Sequence, residues 1–365
     1  MTGGMEVTLK KKSLVSRRWA VLKTRDWIGY YKTMVVKVRK VLHGDSEHLE
    51  QDIHDILCAA QIEFDRDSLK IDKLTGGTSN DIYRVETYQN AKILFRIYGT
   101  GSEQFIDRKL ELENMKLLSD FGLGANVVAE FENGIAYHYI NGRSITSGDA
   151  LSEDIYPLIA GKLAKFHKIP VQNPKNALWS RMKNFIELVP DFHEDIVDNG
   201  MFTCKQDLVE EFKMLKNMLE DCDSPLVFCH LDLNLPNILF DGTDVHFIDV
   251  EYSGCSYPAF DIANHFVEFV GFEQKQLDYI KWFPSREFQL AWIRTYFDAI
   301  ADIYTEADVE ALFELVQKFV LCSHLMWGAW SLVQASVSKI DFEFKDFAQQ
   351  RLFEYARMKN IVITP

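Results

Sequence analysis

Long apolar runs are missing from this sequence of 365 residues. No stretch reaches the ~18 apolar residues that a membrane helix needs, and the first residues lack the apolar centre of a secretory signal. The expectation is a chain with no stable membrane insertion, at work in the cytoplasm. Paired cysteine motifs are missing as well. Cys58, Cys204, Cys222, Cys229, Cys255 and Cys322 stand apart, without C-x-x-C or Cys/His ligand spacing, and read as reduced thiols rather than zinc ligands or a disulfide frame. Positive charge is in deficit, with a formal net charge of −14. So acidic a chain lacks the basic footprint that nonspecific nucleic-acid binding requires, and no nucleic-acid partner is expected. There is no internal repeat and no low-complexity segment, which excludes solenoids and disordered tracts.

What is present is ordinary for a folded protein. Hydrophobic residues make up 47% and charged residues 26%, close to the globular averages of about 45–50% and about 25%. The length suggests two lobes or domains of roughly 100–200 residues each. The charge is uneven. Within residues 1–45, Lys10, Lys11, Lys12, Arg17, Arg18, Lys23, Arg25, Lys32, Lys37, Arg39 and Lys40 face only Glu6, Asp26 and Asp45, so residues 1–49 read as a basic extension. It could lie on the acidic body, meet anionic lipid, or stay solvated.

Residues 50–141 read as a sheet-rich lobe. The stretch "SLKIDKLTGGTSNDIYRVET" holds two apolar strands around a Gly-Gly turn, "AKILFRIYG" is a third strand, and "NVVAEFENGIAYHYING" is a hairpin with Asn133-Gly134 expected at positive φ in its turn. Between them, Phe105, Ile106, Leu110, Leu112, Met115, Leu117 and Leu118 recur with helical spacing before Gly122 and Gly124. Residues 142–365 reverse the balance. Helical patterns cover 152–169, 204–222 and nearly all of 287–358, interrupted by one strand-loop-strand unit. The expected fold class is α+β, a small antiparallel sheet lobe followed by a larger, mainly helical one, with the crossover near Ile140 to Arg143.

The interrupting unit carries the chemistry. In "HLDLNLPNILFD" (His230 to Asp241), which follows the apolar run "LVFC", His230, Asp232 and Asn237 fall at the offsets of the protein-kinase catalytic loop H-R-D-L-x-x-x-N. Phosphoryl transfer from ATP needs a carboxylate at the acceptor hydroxyl, oxygen ligands for Mg²⁺, and fixed positive charge on the phosphates. Asp232 and Asn237 supply the first two by spacing. Asp249 in "FIDVEY", after the next strand, falls where the metal-binding Asp of D-F-G would sit. A polar loop with capping Asp and Asn is the plainer alternative, but it leaves the flanking strands, Asp249 and the upstream sheet lobe unexplained. Upstream, Gly76, Gly77, Thr78 and Ser79, followed by Asn80, form a turn whose backbone N–H groups could approach phosphates; the same turn could be a plain hairpin. Arg96 on the third strand stands where V-A-I-K has its phosphate-binding Lys, with Glu111 or Glu113 within reach on the next helix.

Four stretches, "GGTSNDIYRV", "ILFRIYG", "FCHLDLNLPNILF" with "FIDVEYSGCSYPAFDIANHFVEF", and "HLMWGAWSLVQ", carry a resemblance to the choline/ethanolamine kinase family, over Gly76 to about Tyr355. The resemblance implies a protein-kinase-like two-lobe fold and ATP-dependent phosphorylation of choline to phosphocholine in phospholipid synthesis, with ethanolamine or both amino alcohols as the alternative. It also implies ATP and Mg²⁺ as cofactors, and a homodimer. By position it makes Asp232 the base toward the hydroxyl, Asn237, Asp249 and Glu251 the Mg²⁺ ligands, Arg96 a phosphate contact paired with Glu111, and the backbone at Tyr139 and Ile140 the adenine hinge. His230 and Asp261 would brace the loop. Val250 departs from the usual D-F-E, which removes that ring.

A quaternary ammonium donates no hydrogen bond, so aromatic faces and carboxylates must recognise it. Trp327 and Trp330, three apart on an expected helix, share a face, and the resemblance adds Tyr252, Glu268 and Phe347 around the ammonium. As an isolated pair the tryptophans would equally suit a core. An aminoglycoside phosphotransferase shares the loop spacing but not the block from Asp249 to Glu268. A silent, kinase-shaped scaffold would be expected to have lost Asp232, Asn237 or Asp249, and a lipid-surface adaptor would depend on the basic extension.

Overall fold

The computed structural model describes residues 35–44, 48–65, 69–74, 80–87, 91–99, 106–271, 277–301, 303–338 and 340–363. The turn at Gly76, Gly77, Thr78 and Ser79, and the basic extension up to residue 34, lie outside them.

The first lobe is a six-stranded sheet with two helices. It comprises β1 (Val36–Val38), α1 (Leu49–Ala59), β2 (Lys70–Leu74), β3 (Asn80–Glu86), β4 (Lys92–Tyr98), α2 (Arg108–Asp120), β5 (Val127–Phe131) and β6 (Gly134–His138). The sheet order is β1-β5-β6-β4-β3-β2, antiparallel throughout except for the parallel pair β1 and β5. Alternation along β3 and β4 buries Tyr83, Val85, Ile93 and Phe95, and Ile53, Ile56 and Leu57 of α1 close this small core. Asp107 caps α2, its carboxylate accepting from the N–H groups of Lys109 and Leu110, both at 3.1 Å.

Two details differ from the sequence reading. The lobe begins before the expected boundary at residue 50: β1 pairs with β5 and Leu42 is buried. Asn133 fixes that segment, donating from Nδ2 to the Leu42 carbonyl and accepting from its N–H at Oδ1, both at 2.9 Å. The hairpin turn is Glu132-Asn133, and neither Asn133 nor Gly134 has positive φ. Gly134 is a strand residue; a Cβ there would meet the Arg96 carbonyl oxygen at 2.0 Å. The glycine serves close approach, not turn conformation.

The second lobe is helical around one large core. Its helices are α3 (Tyr156–His167), α4 (Ala177–Leu188), α5 (Lys205–Leu219), α6 (Pro258–Val267), α7 (Arg286–Ile300), α8 (Glu306–Val337) and α9 (Phe344–Val362). Its short strands are β7 (Arg143–Ser144), β8 (Val227–Cys229), β9 (Ile238–Phe240), β10 (Val245–Phe247) and β11 (Gly254–Ser256), with β9 between β10 and β7, and β8 against β11. The tail of the polar stretch is therefore strand rather than loop: Ile238–Phe240 pairs with β10. Every residue of α6, "PAFDIANHFV", is buried. A helix apolar on most faces belongs in the centre of its lobe, and from there α6 presents Asp261 and Asn264 to their neighbours. Among the described residues no helix is long and apolar enough to cross a membrane.

Candidate active site

The loop after β8 is held from below by Asp261. Its carboxylate accepts from the N–H of His230 and of Leu231, each at 2.7 Å, and His167 Nε2 lies 3.2 Å away, all buried. Tyr296 completes the chain, its hydroxyl 2.6 Å from His167 Nδ1. Two adjacent N–H groups aimed at one carboxylate explain how Leu231 is kept at φ +66°, a conformation a leucine rarely adopts. Burial lowers the pKa of His230, whose neutral ring donates from Nε2 to the Ile248 carbonyl (3.0 Å) and accepts the Asp232 N–H at Nδ1 (3.3 Å). This bond joins the loop to the strand end that delivers Asp249, itself at φ +60°.

Asp232 is thereby placed at the loop's rim. Asn234 Nδ2 donates to its Oδ1 and Asn237 Nδ2 to its Oδ2, both at 3.2 Å, and Asn237 also donates to the Asp232 carbonyl at 2.9 Å. The Asn237 amide oxygen is left for another partner. Burial, then the charges of Glu268, Asp249 and Glu251, push the Asp232 carboxyl well above the ordinary range. One carboxylate thus feels the charges of Glu268, Asp249 and Glu251 together.

From the sheet lobe, Arg96 on β4 reaches Glu111 on α2, and Glu111 also accepts from Arg108 at 3.0 Å. Glu111 is buried whereas Glu113 is exposed, so the helix partner of Arg96 is Glu111. Burial alone would lower the Arg96 pKa, but Tyr137, Glu111 and Asp249 outweigh it and raise it. Asp249 and Glu251 are both pushed up, first by burial, and Glu251 then by Asp249 and Glu111. Glu251 Oε2 is buried and accepts no hydrogen bond, its nearest charge being Arg108 at 3.6 Å. Crowded oxygen donors short of positive charge, here Asp249, Glu251 and the Asn237 amide, are the donor set a hard divalent cation takes. At the crossover, the Tyr139 N–H is spent on the Lys92 carbonyl at 2.9 Å. Asn80, at the start of β3, accepts from Arg108 at 3.1 Å. A cavity of about 320 Å³ lies against Ile140 and Asn141, lined also by Lys162, Asp241 and His246, and His230, Asp232 and Asn237 do not line it.

In the helical lobe, Tyr252, Trp327 and Trp330 form an edge-to-face chain, with ring centroids 5.5 and 5.6 Å apart. Trp327 donates its indole N–H to Asn264 Oδ1 at 2.8 Å. Phe342, Phe344 and Phe347 come in from α9 and the turn before it, with Trp330 5.7 Å from Phe344 and Phe342 5.9 Å from Phe347. Glu268, just beyond α6, is not a bare acid. The fully buried Arg351 donates to its Oε1 at 2.7 Å and to Ser323 Oγ at 2.9 Å. Arg181 of α4 donates to the Tyr252 carbonyl at 2.8 Å and lies 5.1 Å from that ring's centroid.

A family model described as choline/ethanolamine kinase matches residues 71–356. The chain belongs to the choline/ethanolamine kinase family. It is 37% identical over 303 residues to mouse ethanolamine kinase 1, covering 78% of this chain and 82% of that one. It is 36% identical to human ethanolamine kinase 1 over 314 residues, 81% of this chain and 69% of the relative. Among solved structures, a Plasmodium vivax ethanolamine kinase aligns with a TM-score of 0.69 at 26% identity, over 80% of this chain and 83% of that one. A Cryptosporidium parvum choline kinase aligns with a TM-score of 0.72 at 23% identity, over 85% and 96%, and shares the fold. The protein is an ATP-dependent phosphotransferase with an alcohol acceptor, on the two-lobe fold of protein kinases.

For a choline/ethanolamine kinase, sequence reasoning missed Arg108, Arg181, Asn264 and Arg351. Arg108 carried the one available signal, since it stands three residues before Glu111, a helical pairing distance. Arg181 and Arg351 pair with residues 71 and 83 positions away, and nothing local marks them.

Proposed function

We propose that the chain transfers the γ-phosphoryl group of ATP to the hydroxyl of ethanolamine, giving phosphoethanolamine and ADP, with choline as a weaker acceptor. The observation that carries the reading is the Asp232 carboxyl, bonded by Asn234 and Asn237 and within range of the charges of Glu268, Asp249 and Glu251. Asp249 and Glu251 serve the nucleotide and metal, and Glu268 the amino alcohol. Asp232 receives the proton of the attacking hydroxyl, and Asn234 and Asn237 orient its two oxygens. Asn237, Asp249 and Glu251 would hold Mg²⁺, which when bound neutralises charge on the transferring phosphate. Arg96, anchored by Glu111, contacts the same phosphates, Gly76, Gly77, Thr78, Ser79 and Asn80 supply further nucleotide contacts, and Ile140 serves the adenine. His230 and Asp261 keep the loop in register.

The acceptor choice departs from the choline favoured by the sequence reading. The relatives matched at 36–37% identity bear ethanolamine names, and this supports the primary amine. So does Glu268. A primary ammonium needs hydrogen-bond acceptors, and Arg351 occupies only Oε1, which leaves Oε2 to accept. The second reading, a choline kinase, is favoured by the Tyr252, Trp327 and Trp330 rings, with Phe347 beyond, because aromatic faces suit a quaternary ammonium.

ADP release with Mg-ATP, comparing ethanolamine, choline and no acceptor, tests both. The expected result is acceptor-dependent release with a higher kcat/KM for ethanolamine. A higher value for choline reverses the acceptor assignment, and no stimulation by either removes the amino-alcohol reading.

A further inference from the structure

Arg108 is the first residue of α2, and its side chain meets four elements at once. It donates to Glu111 Oε2 on its own helix at 3.0 Å and to Asn80 Oδ1 on β3 at 3.1 Å. Its guanidinium lies 4.6 Å from the centroid of the Tyr98 ring on β4. It also stands 3.6 Å from Glu251 Oε2 in the helical lobe. Asn80 opens β3, and Glu251 is one of the carboxylates proposed to hold the metal. Arg108 therefore joins β3 and α2 to those acids.

Among the described residues, acidic groups outnumber basic ones here. Arg96 and Arg108 face Glu111 and Glu251, whose side chains are largely buried, and Asp249, which is exposed. Arg96 and Arg108 both bond Glu111, whereas Glu251 Oε2 receives no hydrogen bond and has only the longer contact to Arg108. At 3.6 Å that contact is an ion pair without the short geometry of a charge-assisted bond, so it is readily exchanged. Five N–H donors on a planar fork let an arginine keep Glu111 and Asn80 while it turns another edge to a phosphate. Asn114 of the same helix donates to the Ser253 carbonyl at 2.9 Å, so the rest of α2 stays fixed to the helical lobe during such an exchange.

We propose that Arg108 is a second phosphate-binding cation and the exchangeable tie between the lobes: it holds Glu251 when the nucleotide is absent and moves to the β- or γ-phosphate when Mg-ATP enters, releasing Glu251 to the metal. This rests on the phosphotransfer reading above. It makes Arg108 a binding residue for the triphosphate and not for the acceptor.

Calorimetric titration without acceptor separates the possibilities, using adenosine and the magnesium complex of a non-hydrolysable ATP analogue with wild type, Arg108→Gln and Arg108→Lys. Loss of one charge-assisted phosphate contact weakens the analogue about tenfold or more in Arg108→Gln, with adenosine within about twofold of wild type. Arg108→Lys falls between, because it keeps the charge and loses the fork. It carries the reading if the glutamine variant melts too low to titrate. Equal weakening of both ligands means a merely structural arginine, and unchanged binding of the analogue leaves Arg108 off the phosphates; either overturns the proposal alone. Failure of the wild type to bind the analogue sinks the phosphotransfer reading and this inference together.

Discussion

The two lobes hold their functional groups by different physics. In the helical lobe the Asp232 loop hangs on hydrogen bonds inside a dry core: Asp261 grips two backbone N–H groups and His167, on a helix buried along its whole length. In the sheet lobe Arg96 and Arg108, the proposed phosphate contacts, are held by other charges, converging on Glu111. Buried hydrogen bonds to a fixed backbone specify one geometry, and losing a partner is costly because the orphaned group cannot find water. Ion pairs facing a cleft can trade partners when another charge arrives. The contrast assigns a preorganised acceptor side to one lobe and an exchangeable nucleotide side to the other.

Four substitutions sharpen or break that contrast. Asp232→Asn removes the base while keeping its shape, and kcat is expected to fall by about 10²–10⁴-fold, with the affinity for Mg-ATP changed less than about threefold; near-normal turnover in the ADP-release assay would sink the assignment. Asp261→Asn loses the charge that holds His230 and Leu231, and urea unfolding is expected to show about 3–5 kcal/mol of lost stability. A loss below about 1 kcal/mol would put this carboxylate on a level with a surface pair and erase the difference between the lobes.

The third concerns pH. His265 is fully buried and neutral, its pKa lowered by burial from 6.5 to about 4. The unfolded chain therefore binds a proton below about pH 6.5 that the folded chain refuses. Stability is fully present above pH 6.5 and is lost as pH falls through about 4, by about 3 kcal/mol from this group. His265→Asn should flatten that slope in denaturation curves at pH 7 and pH 5; an unchanged slope would place the acid sensitivity elsewhere. The smallest effect is expected of Trp330→Ala, which should raise the acceptor KM about tenfold and leave the ATP KM alone. Equal changes in both would return Trp330 to a packing role.

How much of this was legible follows from the reach of each interaction along the chain. His230, Asp232, Asn237 and Asp249 lie within twenty residues and at offsets set by one loop and one hairpin, so spacing alone exposes them. The sheet lobe was legible because β2, β3 and β4 are short apolar-rich stretches punctuated by glycines, Gly76-Gly77 and Gly99. β1 was not: Val36–Val38 is three residues with a lysine in the middle, and its pairing depends on Asn133, more than ninety positions away. Arg351 was invisible for a related reason. A charged residue on a helix normally reads as solvated, and only the folded chain shows Glu268 and Ser323 waiting in the core to receive it. The helix spacing of Trp327 and Trp330 was plain, while the fate of the Trp327 indole N–H, spent on Asn264, was not.

The strand β1 also bears on where this protein can be cut. A truncation beginning at residue 71, where the family match starts, would strip off β1 and α1, and with them Leu42, Ile53, Ile56 and Leu57 of the small core. It would leave β5 as a bare sheet edge with its N–H and C=O groups unpaired, a template for joining other chains. The shortened protein would retain the whole catalytic loop and would still be expected to clump, so recombinant work needs a start point ahead of residue 35.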